Sequence, residues 1–128
     1  MNYHAPRLDA IHHPIVRALE ADGWAVLSLA SHGCPVDILA TDTRSASVAP
    51  FIEGATWLGE IKDGSKVPSK RRLKPACAKL MLEWPGPGAV VCSVAEALEA
   101  GALARRGALL SCGDAARIYL AKTGGVAK

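Results

Sequence analysis

The chain has 128 residues, with 15 Lys plus Arg against 12 Asp plus Glu and a net charge of +3. That length fits one domain with a real core, and a charged fraction of 21% excludes a disordered polyelectrolyte. No apolar run reaches the ~18 residues of a membrane span, the opening MNYHAPRLDAIHH has no apolar signal region, and Cys34, Cys77, Cys92 and Cys112 form no CxxC pair. A cytoplasmic protein with four reduced thiols, no membrane partner and neither a zinc knuckle nor a thioredoxin site is therefore expected.

Residues 1–9 read as a loose arm. Pro14 suits a first helical turn, Ile15, Val16, Ala18 and Leu19 form an apolar stripe, and Gly23 is a natural stop, so a helix is predicted over about Pro14–Asp22. WAVLSLA, from Trp24 to Ala30, is rich in large and β-branched residues and predicts a strand. SHGCP, at 31–35, predicts a turn, and VDILA, at 36–40, a short second strand that opens with Asp37. Thr41–Gly54 is polar and irregular, a long hairpin connection. TWLGEIK, at 56–62, predicts a third strand, followed by a polar, basic loop over Asp63–Leu73.

Pro75 starts a second helix that runs to about Trp84, where PGPG at 85–88 ends it. AVVC, at 89–92, is an apolar strand. Ser93 with Glu96 three residues later forms a capping box for a helix reaching about Arg105. Further on, a short helix is expected over Asp114–Lys122 and a frayed TGGVAK end. Trp24, Trp57 and Trp84 are expected as core anchors. The order α-β-β-β-α-β-α predicts an α/β layer architecture, a small mixed sheet flanked by helices. It fills residues 1–106, with 107–128 as a C-terminal extension.

Asp37, Glu60 and Lys62 carry the chemistry. Strand side chains alternate, so Glu60 and Lys62 share one face while Ile61 points into the core. Pairing of the second and third strands would bring Asp37 to the same edge. Charged groups within apolar strands require a physical reason. Two carboxylates supply hard oxygen ligands for Mg²⁺ or Mn²⁺, which would lower the pKa of a bound water and polarise a phosphoryl oxygen. An ammonium beside it can orient that water or offset charge on the phosphate.

GCPVDIL, TWLGEIKDGSKVPS, LKPACAKLMLEWPGP and VVCSVAEAL, in that order over residues 9 to 100, resemble the small stand-alone VRR-NUC-type nucleases of the PD-(D/E)xK superfamily, common in bacteriophage genomes. The resemblance implies a restriction-endonuclease-like core and an Mg²⁺-dependent DNA endonuclease acting in the bacterial host cytoplasm. It further implies Asp37 and Glu60 as catalytic metal ligands and Lys62 as the motif Lys. Relatives carry a Glu near the start of the first helix. This chain has IHHPIV there, and Asp9, His12 and His13 are the nearest stand-ins. His32, in the turn before Asp37, is a further auxiliary candidate. By family analogy, a homodimer would set two sites on a branched or duplex substrate.

Lys62, Lys66, Lys70, Arg71, Arg72 and Lys74 face one acid, Asp63, within thirteen residues, an excess larger than the +3 of the whole chain. Such a loop suits the phosphate backbone of DNA, which makes Lys66, Lys70, Arg71, Arg72 and Lys74 candidate nucleic-acid contacts. No aromatics interleave them, so a single-strand stacking platform is not indicated. Two rival readings stand beside the endonuclease: a nucleic-acid-binding module that keeps the fold without the reaction, motivated by the altered first helix, and a host-directed interaction protein using the fold as scaffold, which a sizeable exposed apolar patch would favour.

Overall fold

The computed structural model describes residues 10–43 and 55–128. The expected arm at 1–9, with Asp9, and most of the connection expected at 41–54 lie outside the described residues. Among the described residues, four α-helices and four strands follow one another as α1 (His12–Ala21), β1 (Trp24–Ser28), β2 (Ile38–Asp42), β3 (Thr56–Ile61), α2 (Pro75–Glu83), β4 (Gly88–Val91), α3 (Val94–Arg105) and α4 (Cys112–Thr123). The sheet order is β1-β2-β3-β4; the first two pairings are antiparallel and β3–β4 is parallel. A parallel pair needs a crossover, and α2 supplies it. The architecture is thus the α/β fold with a small mixed sheet that the element order predicts.

Helices cover both faces. α1 and α3 close one core, where Ile15, Leu19, Ala97, Ala100 and Ala104 meet Trp24, Ile38, Trp57 and Ile61. α2 and α4 close the other, where Cys77, Ala78, Met81, Cys112, Ala116 and Tyr119 meet Val36 and Leu73. Small residues bring α3 close to the sheet: a Cβ on Gly101 would lie 2.6 Å from the Trp24 indole nitrogen. Trp24 and Trp57 stack edge to face at 6.2 Å, whereas Trp84, expected as a core anchor, is 49% exposed just past α2. The buried Arg105 guanidinium ties the far end of the sheet together. It donates to Asp42 and Asp22 at 3.1 and 2.8 Å and lies 4.4 Å from the Trp24 ring centroid.

Several boundaries differ from the sequence expectation. α1 starts at His12, two residues early; Pro14 is tolerated because N–H groups of the first turn have no intrahelical partner. β1 stops at Ser28, and a 3-10 turn at Ala30–His32 leads to left-handed Gly33. β2 runs two residues later than expected, so Asp37 precedes it. The basic loop contains a 3-10 turn at Pro68–Lys70. Ser93 caps α3 by accepting from Glu96 N–H, but the Glu96 carboxylate reaches Cys92 N–H rather than that of Ser93.

The largest difference is at the end of the chain. Residues 107–128, read as an extension with a helix at 114–122, supply a twelve-residue α4 that packs on α2 and β4. TGGVAK is tied down rather than frayed. Gly124 (φ 82°) and Gly125 both donate to Leu120 O, a left-handed helix stop, and Ala127 N–H donates to Leu73 O at 2.8 Å.

Candidate active site

β2 pairs with β3 in the register Ile38↔Gly59. One step further sets Asp37 opposite Glu60, and cross-strand neighbours share a face. Because Trp57 and Ile61 fill the α1/α3 core, alternation turns Leu58, Glu60 and Lys62 toward α2 and α4. The sequence reading of these three residues holds at that level: the fold brings Asp37, Glu60 and Lys62 together.

Asp37 continues the sheet with its side chain. Its Oδ2 accepts from Ile61 N–H at 2.8 Å, while its carbonyl accepts from Leu29 and Ala30 N–H at 2.8 and 3.3 Å. A carboxylate held by both backbone directions has little freedom to swing. Lys62 lies one residue past β3, and its N–H still pairs with Val91 O at 3.1 Å. Its ammonium stands 3.4 Å from Glu60 Oε2.

Glu60 is the unusual group. It is only 5% exposed, and its Oε1 is buried without a hydrogen-bond partner. Burial, reinforced by the Asp37 charge and a hydrogen bond to Asp37, pushes its carboxyl up to about 8; Lys62 opposes the shift and does not cancel it. A buried, incompletely bonded carboxyl costs stability. Cys77, in the first turn of α2, adjoins this carboxyl, and burial with the Glu60 charge holds its thiol far above the ordinary range. The sequence reading took Cys77 only as core filling. Its spacing from Pro75 places it in the first turn of α2, but only the tertiary packing brings it to Glu60.

The auxiliary candidates do not complete a cluster. His12 is buried at the start of α1, with the exposed His13 ring edge-on at 5.9 Å, and His32 is exposed in its 3-10 turn. Among the described residues, no group of three His, Cys, Asp or Glu side chains is arranged to hold a metal ion. The donor set is thus two carboxylates, one with an unsatisfied oxygen. This fits Mg²⁺ or Mn²⁺, which bind through one or two carboxylates and keep several waters.

The basic loop lies beside these groups. Gly64 lets it sit on the end of β4: its N–H donates to Cys92 O at 3.2 Å, and a Cβ there would come within 2.7 Å of that oxygen. Lys66, Lys70 and Lys74 are exposed, whereas Arg71 and Arg72 are half-buried and hydrogen-bonded. The run thus holds two kinds of cation, anchored guanidinium groups and exposed ammonium groups.

Comparison with known families, curated proteins and solved structures finds no match for this chain. Among the described residues, no helix is long and apolar enough to cross a membrane.

Proposed function

We propose that the chain is a metal-dependent DNA endonuclease on a restriction-endonuclease-like fold, with Asp37, Glu60 and Lys62 as its catalytic groups. The observation that carries this reading is the carboxylate pair itself: two acids on one sheet face, one with a buried, unsatisfied oxygen, and a Lys ammonium 3.4 Å away. Asp37 and Glu60 would hold Mg²⁺ or Mn²⁺ through carboxylate oxygens. When bound, the cation would polarise a phosphoryl oxygen and acidify a water. Asp37, fixed by the Ile61 N–H, sets the direction of approach. Glu60 must give up its proton to serve as a ligand, so activity rises as pH climbs toward 8. Lys62 orients the attacking water or offsets charge on the phosphate. The exposed lysines of the basic loop hold the strand.

The test is cleavage of duplex and branched DNA in Mg²⁺ and Mn²⁺. Asp37→Ala and Glu60→Ala should each abolish cleavage while DNA binding in Ca²⁺ persists; single variants that cut at wild-type rates would sink the assignment. One observation favours a second reading, a module that binds nucleic acid without cutting it: among the described residues, no third acid or imidazole joins the pair. Binding by the wild-type chain without cleavage in either metal selects that reading. A homodimer, taken from family analogy, is read from sedimentation.

A further inference from the structure

A cavity of about 250 Å³ opens in the β3–α2 loop, with Lys62 at one side and Ala127 of the C-terminal tail in its wall. Lys62, Lys66, Lys70, Arg71, Arg72 and Lys74 line it. The only acid in the lining, Asp63, turns its carboxylate to its own loop, accepting from Ser65 N–H and Oγ–H at 3.0 and 2.7 Å.

The two guanidinium groups are held from behind. Arg71 Nε donates to Lys66 O at 3.1 Å and Nη1 to Cys92 Sγ at 3.7 Å. Tyr119 of α4 fixes the same residue by donating its hydroxyl to Arg71 O at 2.6 Å. Arg72 Nε donates to Thr123 O at 2.8 Å. Ala127, pinned to Leu73, forms part of the wall. The last helix thus holds the two arginines of the wall in place, and the tail adds Ala127 to it, a role that the sequence reading did not assign to residues 107–128.

Among the described residues, no carboxylate pairs with Lys70, Arg71, Arg72 or Lys74. Those four cations, gathered around one hollow, repel one another, and a fold that places them together without carboxylate partners suits an anion that supplies the counter-charge. Anchored guanidinium groups and exposed ammonium groups together suit the tetrahedral oxygens of a phosphate.

We propose that this cavity is a phosphate-binding subsite, its two arginines held in place by α4, that grips a phosphate of the nucleic-acid strand next to the one held at Asp37 and Glu60. Lys62 belongs to both places, lining the cavity and contacting Glu60. The source of the phosphate rests on the nuclease reading; the anion site itself does not.

The test uses the full chain, free of divalent cation, with pyrophosphate and inorganic phosphate as probes in titration calorimetry. Pyrophosphate should bind saturably, one per chain. Lys70→Ala with Lys74→Ala should weaken it by about tenfold or more, since contacts to charged groups are worth about 1.5–3 kcal/mol each. Arg71 and Arg72 are left intact because their hydrogen bonds hold α4. Lys79→Ala with Arg106→Ala removes the same charge from exposed sites elsewhere and should leave the affinity within about twofold. Three oligonucleotides of one sequence, bearing a 5′-phosphate, a 3′-phosphate or neither, then compete with pyrophosphate. Stronger displacement by one phosphorylated end assigns a terminal phosphate, and equal displacement by all three assigns an internal diester; both support the subsite. Absence of saturable pyrophosphate binding, equal losses in the two double variants, or failure of every oligonucleotide to compete overturns it. None of these readouts involves cleavage, so an inactive enzyme with an intact pyrophosphate site defeats the nuclease reading alone.

Discussion

Glu60→Gln keeps the size of the side chain and removes its ionisation, and it should change how stability depends on pH. The folded carboxyl titrates at about 8, against an ordinary 4.5. Between those values the folded chain holds a proton that the unfolded chain has released. Unfolding therefore liberates a proton, and rising pH favours it. The contribution is fully present below pH 4.5 and is lost as pH climbs through 8. Each pH unit is worth about 1.4 kcal/mol, so the metal-free protein gives up as much as about 5 kcal/mol, a large share of the roughly 5–15 kcal/mol that stabilises a typical domain.

Urea unfolding in a chelating buffer at pH 5, 6, 7, 8 and 9 measures this directly. Wild type should lose stability against Glu60→Gln with a slope approaching 1.4 kcal/mol per pH unit between pH 5 and 8, then level off. Mg²⁺ should reverse the loss at high pH, by about 2.7 kcal/mol at a hundred times its dissociation constant, and its binding should release a proton below pH 8. Parallel profiles for wild type and Glu60→Gln would refute the reasoning, because they would mean that Glu60 is ionised in the fold across the whole range.

Arg105→Ala leaves the buried Asp42 carboxylate without the guanidinium that holds it, and should cost about 3–5 kcal/mol in denaturant unfolding. Gly101→Ala drives a methyl against the Trp24 indole; this overpacking costs about 1–3 kcal/mol, partly offset by about 1 kcal/mol of helix propensity, and near-ultraviolet dichroism of the Trp pair should change. Lys70→Ala with Lys74→Ala should leave stability within about 0.5 kcal/mol and lower the log–log salt slope of duplex DNA binding by about 1.8 if both lysines touch phosphates. Arg72→Ala should also destabilise the chain, by about 1–2 kcal/mol in thermal unfolding, because its Nε satisfies a carbonyl at the end of α4.

The elements that local chemistry fully determines were legible in the sequence. Pro75 at the first position of α2 and the Ser93 cap of α3 are start signals that act within one turn. α4 was only partly legible. Ser111 caps it by accepting from Asp114 N–H, but its apolar stripe is built from Cys112, Ala116 and Tyr119, too small and mixed for periodicity to stand out. Gly88 shows why: a Cβ there would meet Cys112 Sγ at 2.1 Å, so α4 is seated by close approach to β4 rather than by large side chains. The Arg105 pairings with Asp22 and Asp42 join residues 63 or more positions apart, and nothing local announces them.

For the site, alternation alone sufficed to put Glu60 and Lys62 on one face, and the hairpin brought Asp37 opposite. The state of those groups was not legible, because a pKa near 8 depends on what covers the carboxyl. That cover is α2 with Cys77, together with a like charge across the strand pair. The loop shows the same division. Composition made it basic, but only the tertiary structure separates Arg71 and Arg72, which hold α4, from Lys70 and Lys74, whose side chains are exposed and hold nothing among the described residues. Substituting all the cations together would confound folding with binding. The exposed lysines are where a loss of affinity can be read without a loss of fold, and Glu60 is where stability and ligand binding oppose each other, since the burial that makes its ionisation costly also leaves an oxygen for a cation to take.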